Sequence, residues 1–268
     1  AVHNRPRNIT GNAYGDKFGE MLVAASRLSA AIGKRVNVVH LGINESSLAP
    51  SNASNLTGFD GKVGWWDAEN HGTRATNVTT SLYQRLDKLL RTVLPNALKA
   101  ETSTKTLRCL GLVVSRGQSD ALNTSARQHY GRTLKGFVSS LRSLINTLGF
   151  NPYANGAEIP YVQPRIAYLP YSVDDAYMKH TELGGGADPV DYNADTDGLT
   201  NSAIEENSIS DGFAASVKVD DLPRLAADMS LFNGVGEAEL GSRISDKLGI
   251  LIDYGLAHGS SALAMAQT

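Results

Sequence analysis

Apolar residues recur at helical spacing in four stretches of the chain and cluster into short β-branched runs between them. From Lys17, the positions Phe18, Met21, Leu22, Ala25, Leu28 and Ile32 share one helical face, and Gly33 suits a stop, so a helix is predicted over 17–32. Arg35–Gly42 is short, apolar and β-branched, and reads as a buried strand. Leu82, Leu86, Leu89, Leu90, Val93 and Leu94 form the next helical stripe, which Pro95 should kink or end. Leu107–Val114 is the strongest strand signal. A helix follows, carrying Tyr130, Leu134, Phe137, Val138, Leu141, Leu144, Ile145 and Leu148 on one side, and Gly149 closes it. Ile159–Leu169 reads as another strand, with Pro164 arguing for an edge or irregular position. A short strand near Ala215–Val219 precedes a turn region. Val235, Ala238, Ile244, Leu248, Leu251 and Ile252 mark a last long helix.

Between these elements, residues 43–76 form a long irregular connection that holds both tryptophans, and residues 170–212 are polar and Gly/Asp-rich. Strands alternate with helices, and each gap is long enough for a crossover. The expected fold class is therefore α/β, a parallel central sheet with helices on both faces. No repeat of 20–50 residues and no linker divides the chain. One domain is expected over 15–255, with an N-terminal arm over 1–14 and a small, Ala/Ser-rich peripheral tail over 256–268.

Composition narrows the function classes. The 268 residues are 41% apolar and 19% charged, with a net charge of −2 and no long Lys/Arg run, which excludes an electrostatic footprint for nucleic acid. No apolar run approaches the ~20 residues of a membrane helix, and the start, Ala1-Val-His-Asn-Arg-Pro6, has no apolar core of signal-peptide type. The single cysteine, Cys109, excludes an intramolecular disulfide framework and a Cys-cluster metal site.

Ligands of open α/β sheets collect beyond the carboxyl ends of the strands. Gly42–Ala49, Ser115–Asp120 and Asp220–Leu231 occupy such places. Gly117-Gln-Ser-Asp120, just after a buried strand, is similar to the Gln-Gly-Glu-Ser-Asp segment of SGNH-type carbohydrate esterases, the sialate-O-acetylesterase and acetylxylan-esterase-like enzymes. Tyr130, Leu134, Phe137 and Leu141-Arg142 follow at the family's helical spacing, then Ile159-Pro-Tyr-Val162 as the next strand. Upstream, Phe18-Gly19 through Val36–Leu41 and Asn44-Glu-Ser-Ser-Leu48 resemble the family's helix, strand and Gly-Gly-Thr-Ser-Leu turn. Downstream, Asp221-Leu-Pro223, Asp228-Met-Ser-Leu-Phe232 and Gly236 through Leu248 resemble its closing Asp-x-x-His-Phe segment and helix. The resemblance spans residues 15–252 and implies a three-layer α/β/α, flavodoxin-like SGNH-hydrolase fold.

The resemblance also implies a serine nucleophile, a histidine base and oxyanion donors. The family's nucleophile lies in a Gly-Gln-Ser-Asn block after the first strand, and the 17 residues before Phe18 contain no such block. Glu45 stands where the family has a glycine beside the oxyanion, and a carboxylate there opposes developing negative charge. Leu231 stands where the family has its histidine, and it accepts no proton. Asp228, which would orient that histidine, is retained. Gln118-Ser119 has the look of a nucleophile motif, but the helix after it matches the other block. The vestigial set is therefore Asp228, Ser119, Gln118 and Asn44. None of His3, His40, His71, His129, His180 and His258 falls at the family position.

Candidate ligand contacts are Trp65 and Trp66, which could stack on sugar rings or anchor a partner, with Asn44 and Arg116 at the strand ends. Asn193-Ala-Asp-Thr-Asp-Gly198 places Asp195 and Asp197 as in the opening of a calcium loop. Ile204 fills the position of the bidentate ligand, which favours an Asx-rich turn over a metal site. No cofactor is expected.

These readings lead to a non-catalytic SGNH-esterase-like domain used for assembly or glycan contact, in a virion or on an extracellular surface. Its expected partners are other protein subunits, in a homo- or hetero-oligomer, then glycans, with neither nucleic acid nor a membrane span. If the family's central first strand is absent, its neighbours expose unpaired backbone that residues 1–14, another subunit or a separate segment would cover. The alternatives are a carbohydrate O-acetylesterase with a displaced or externally supplied nucleophile, and a lectin-like module.

Overall fold

The computed structural model describes residues 19–41, 48, 82–97, 106–115, 117–121, 124–166, 199–225, 228–232 and 234–258. Helix α1 spans Glu20–Ile32. An acidic residue in its first turn complements the helix dipole, and Gly33, at φ +65°, ends it in the left-handed conformation. The next stripe forms α2 (Leu82–Lys88), a π-helical turn over Leu89–Val93, and α3 (Leu94–Ala97). The Leu94 N–H reaches back to the Leu89 carbonyl. The widened turn directly precedes Pro95, whose ring would strike a regular α-helical carbonyl and which has no N–H to donate.

Strand β1 (Leu112–Val113) leads to a one-turn helix α4 (Gln118–Ala121) and the long α5 (Thr124–Thr147). Then come β2 (Tyr161–Pro164), α6 (Leu199–Ser210) and β3 (Ala214–Val217). A hairpin of β4 (Arg224–Leu225) and β5 (Asp228–Phe232) precedes α7 (Gly234–His258). The parallel sheet runs β1-β2-β3, and β4 and β5 pair antiparallel. This is an α/β arrangement with a small parallel sheet. No helix among the described residues is long and apolar enough to cross a membrane.

Alternation along the strands divides the core in two. Tyr161 and Ala214 join the cluster built by Tyr130, Leu134, Phe137 and Leu141 of α5 and Ile204 of α6. Val162 and Val217 join the cluster of Ala24 and Leu28 from α1 and Ile244, Leu248 and Ile252 from α7. Helices α1 and α7 pack so closely that a Cβ on Gly241 would strike the Glu20 carbonyl, and Arg27 pairs with Asp246 across their exposed side at 2.9 Å.

Arg142 ties the amino-terminal edge together. Its Nε donates to the Ile159 carbonyl at 2.8 Å, Nη1 to Asp211 Oδ2 at 2.5 Å and Nη2 to the Phe213 carbonyl at 3.3 Å, and its guanidinium lies 5.3 Å from the centre of the Tyr161 ring. One side chain on α5 thereby fixes the starts of both β2 and β3.

Four expectations are corrected. Arg35–Leu41 is in no strand, and Val39 is 45% exposed, because no neighbouring ladder among the described residues pairs with it. Pro164 lies on the central strand, not an edge. The N–H groups of Tyr161 and Arg165 point to β3, so the nitrogen of Pro164 faces the β1 side, beyond the point where β1 ends. The polar stretch 170–212 contains α6, whose inward face is Thr200, Asn201, Ile204 and Asn207, too polar to show as an apolar stripe. The turn region after β3 holds the β4–β5 hairpin. Helix α7 runs to His258 and Leu256 packs against both clusters, while residues 259–268 of the expected tail lie outside the described residues. The arm over 1–14 lies outside the described residues.

Candidate functional site

The carboxyl edge of the parallel sheet is built on the turn after β1. Gly117 sits at φ +129°, which a side chain rarely adopts, and an added Cβ would lie 3.0 Å from Ile166 Cδ1 and 3.1 Å from Tyr130 Oη. The Gly117 carbonyl accepts from the Ala121 N–H at 2.8 Å, which starts α4. That turn aims Asp120 inward. Asp120 is fully buried, and its carboxylate oxygens accept the backbone N–H of Leu48 at 2.8 and 3.0 Å. Leu48 is itself fully buried. A charge-assisted bond of this kind is strong in a dry site. Two of the three segments picked out from the sequence, Gly42–Ala49 through Leu48 and Ser115–Asp120 through Asp120, therefore meet here.

The floor of this edge is a buried polar network. Gln163 Nε2 donates to Tyr130 Oη at 2.5 Å. The Asn201 amide holds both backbone groups of Ile166, accepting its N–H at 2.9 Å and donating to its carbonyl at 3.0 Å. Arg165 pairs with Glu205 at 2.8 Å and so links the end of β2 to α6. These contacts tie the end of β2 to α5 and α6, while Gln163 Oε1 and Arg165 Nε are buried with no hydrogen-bond partner.

The third segment follows β3. The Arg243 guanidinium forks onto Asp221 at 2.7 and 2.8 Å and also reaches the Lys218 carbonyl at 3.0 Å. This bond holds the Asp221 carboxyl down at about 2. The fork fixes the approach to the hairpin from α7. Asp228 opens β5 opposite Leu225, and Leu231 lies three residues on in the same strand.

The expected site residues are distributed as follows. Gln118 and Ser119 lie on α4, beside Asp120, and Asp228 on β5. Asn44, Trp65, Trp66, Arg116, Asp195 and Asp197 lie outside the described residues, as do His71 and His180. Among the described residues, His40 and His129 are exposed, and neither side chain has a serine or carboxylate partner. No group of three metal-ligating side chains is found among the described residues. Sequence reasoning missed the roles of Asp120, Gln163 and Asn201. Asp120 was within reach, as the one carboxylate of a turn expected at a strand end. Asn201 had no apolar pattern around it to mark a helix.

An open groove of about 860 Å³ lies at the other edge of the sheet, between Ser139 and Asn146 of α5, Glu158, and Asp211 before β3. It belongs to the Arg142 edge and does not include the Gly117–Asp120 turn.

No protein-family model matches this chain, and no curated protein matches it. Among solved structures it is similar to an Arabidopsis thaliana protein determined by X-ray crystallography, at 17% identity and a TM-score of 0.40. The match covers 64% of this chain and 53% of that one, so it spans about half the length of that protein. At that TM-score the likeness carries no argument about fold or activity.

Proposed function

We propose that this chain is a non-catalytic member of the SGNH-esterase-like three-layer α/β/α domains, and that it serves as an assembly or glycan-contacting component of a virion or extracellular surface. The observation that carries this reading is Leu231. In the segment that resembles the family's acid–base block, the position of the proton acceptor is aliphatic, although Asp228 is retained. A serine hydroxyl is a weak nucleophile without an adjacent base. Two further observations support the reading. The buried carboxylate at the carboxyl edge, Asp120, is bonded to the Leu48 amide, and the described His40 and His129 have no relay partner.

The test is hydrolysis of p-nitrophenyl acetate, run beside labelling by a fluorophosphonate and intact-mass analysis. The expected result is turnover indistinguishable from buffer and no adduct. Stoichiometric labelling of one serine would replace this reading with the carbohydrate O-acetylesterase.

A further inference from the structure

The groove at the Arg142 edge is lined by polar side chains that the fold leaves half used. It lies between α5, the turn at Asn155–Glu158 and the stretch that leads from α6 into β3. Glu158 Oε1 accepts from the Asn155 side-chain amide, whereas Glu158 Oε2 is shut from bulk water and has no hydrogen-bond partner. Asn207 lines the same groove and is 2% exposed. Its Nδ2 donates to the Gly131 carbonyl at 3.4 Å, whereas its Oδ1 is buried with no partner. A buried acceptor left unpaired is costly, and native folds keep few of them. Two on one groove fit a ligand that brings donors.

The rest of the lining selects among donors. Ser139, Ser143 and Ser210 are exposed hydroxyls, able both to donate and to accept. Arg142 shapes the wall, and each of its three nitrogens is held by the protein. The charges of the lining cancel, Lys135 and Arg142 against Glu158 and Asp211, so the groove draws in neither an anion nor a cation. Val138, Tyr161 and Phe213 add apolar surface among the hydroxyls. A volume of about 860 Å³ falls in the range of small-molecule sites.

We propose that this groove binds a neutral, multiply hydroxylated ligand, an oligosaccharide, with Glu158 Oε2 and Asn207 Oδ1 accepting from its hydroxyls. Exposed side chains on the groove, Asn155 and Ser210, move aside to bring the two acceptors into contact. The site lies at the opposite edge of the sheet from the Gly117–Asp120 turn, so it is a contact site separate from the segments that resemble an esterase. This inference rests on the glycan-contact part of the reading above and gives that contact a place.

The experiment is an NMR titration of the isotope-labelled whole chain with neutral trisaccharides: maltotriose, mannotriose, cellotriose and triacetylchitotriose. The controls are the cationic glucosamine trimer, the anionic galacturonic acid trimer and a blocked trialanine peptide. The expected result is that a neutral trisaccharide saturates at one per chain and shifts the amides of Ser139, Glu158, Asn207 and Gly212, with every control at least about tenfold weaker. Ser139→Trp fills the groove from an exposed position and should abolish binding. In Glu158→Gln, Asn155 holds the amide oxygen, so an N–H₂ replaces the free acceptor and binding should weaken by about tenfold. Both variants are first shown to be folded by circular dichroism. Binding whose shifts fall elsewhere would keep glycan contact and overturn this site. No binding by any of the four sugars, preference for a charged trimer or the peptide, or full binding by S139W also overturns it. Fluorophosphonate labelling of a serine is read separately, so failure of the non-catalytic reading is told apart from failure of this site.

Discussion

Arg142→Ala tests how the sheet is held to its longest helix. Arg142 is 8% exposed and Asp211 28% at their side chains, so the pair is mostly desolvated. Truncation leaves Asp211 without its counter-charge and removes donors from the Ile159 and Phe213 carbonyls. Breaking a buried pair from one side costs about 3 kcal/mol at the low end of the usual range, which suits a partner that water can reach. A buried carbonyl left unpaired adds about 1 kcal/mol. The expected loss is thus about 4 kcal/mol, or roughly 8–16 °C in Tm for a chain of this size. Urea unfolding followed by circular dichroism measures it, with an unchanged slope showing that the unfolded state is unaltered. A double-mutant cycle with Asp211→Asn should give a coupling of about 1–2 kcal/mol. A loss for R142A below about 1 kcal/mol would refute the reasoning, because surface pairs cost that little.

Three further outcomes follow from the same geometry. Gly117→Ala should destabilise by about 1–3 kcal/mol in thermal unfolding, since φ +129° and the contacts to Ile166 and Tyr130 oppose a Cβ; a neutral effect would mean that the turn relaxes freely. Asp120→Ala should cost about 1–3 kcal/mol and speed hydrogen exchange at Leu48, whose amide loses its acceptor; unchanged exchange there would show that the bond does not anchor the segment. Burial pushes the Cys109 thiol up to about 11 and the Tyr161 hydroxyl to about 12. The folded protein then holds protons that the unfolded chain releases from about pH 9 upward, so stability should fall between about pH 9 and 12. Alkylation of Cys109 by iodoacetamide at pH 8 should be slow until the protein unfolds, and rapid labelling of the native state would contradict this.

The elements legible in the sequence were those whose buried side is apolar. Helices α1, α5 and α7 each carry such a stripe, and β1 and β3 lie within runs of β-branched residues. Helix α6 was illegible because Asn201 and Asn207 turn inward, and the Asn201 amide bonds the backbone of Ile166 instead of packing on oil. Pro164 misled because a proline's missing donor matters only toward a neighbour that needs it, and β1 ends before that point. Val36 to Leu41 has the composition of a strand, but a strand needs a ladder, and composition says nothing of the partner. The carboxyl-edge turn was legible as a place, through Gly117 and Asp120. The bond from Asp120 to Leu48 was not, because 72 residues separate its ends.

The proposal that Asp228 has no proton relay is tested most directly by a high-resolution crystal structure. The quantity to measure is the distance from the Asp228 carboxylate to the nearest histidine nitrogen. The account predicts that no imidazole lies within hydrogen-bond reach, about 3.2 Å. An imidazole bonded to Asp228 on one side and to a serine hydroxyl on the other would contradict it.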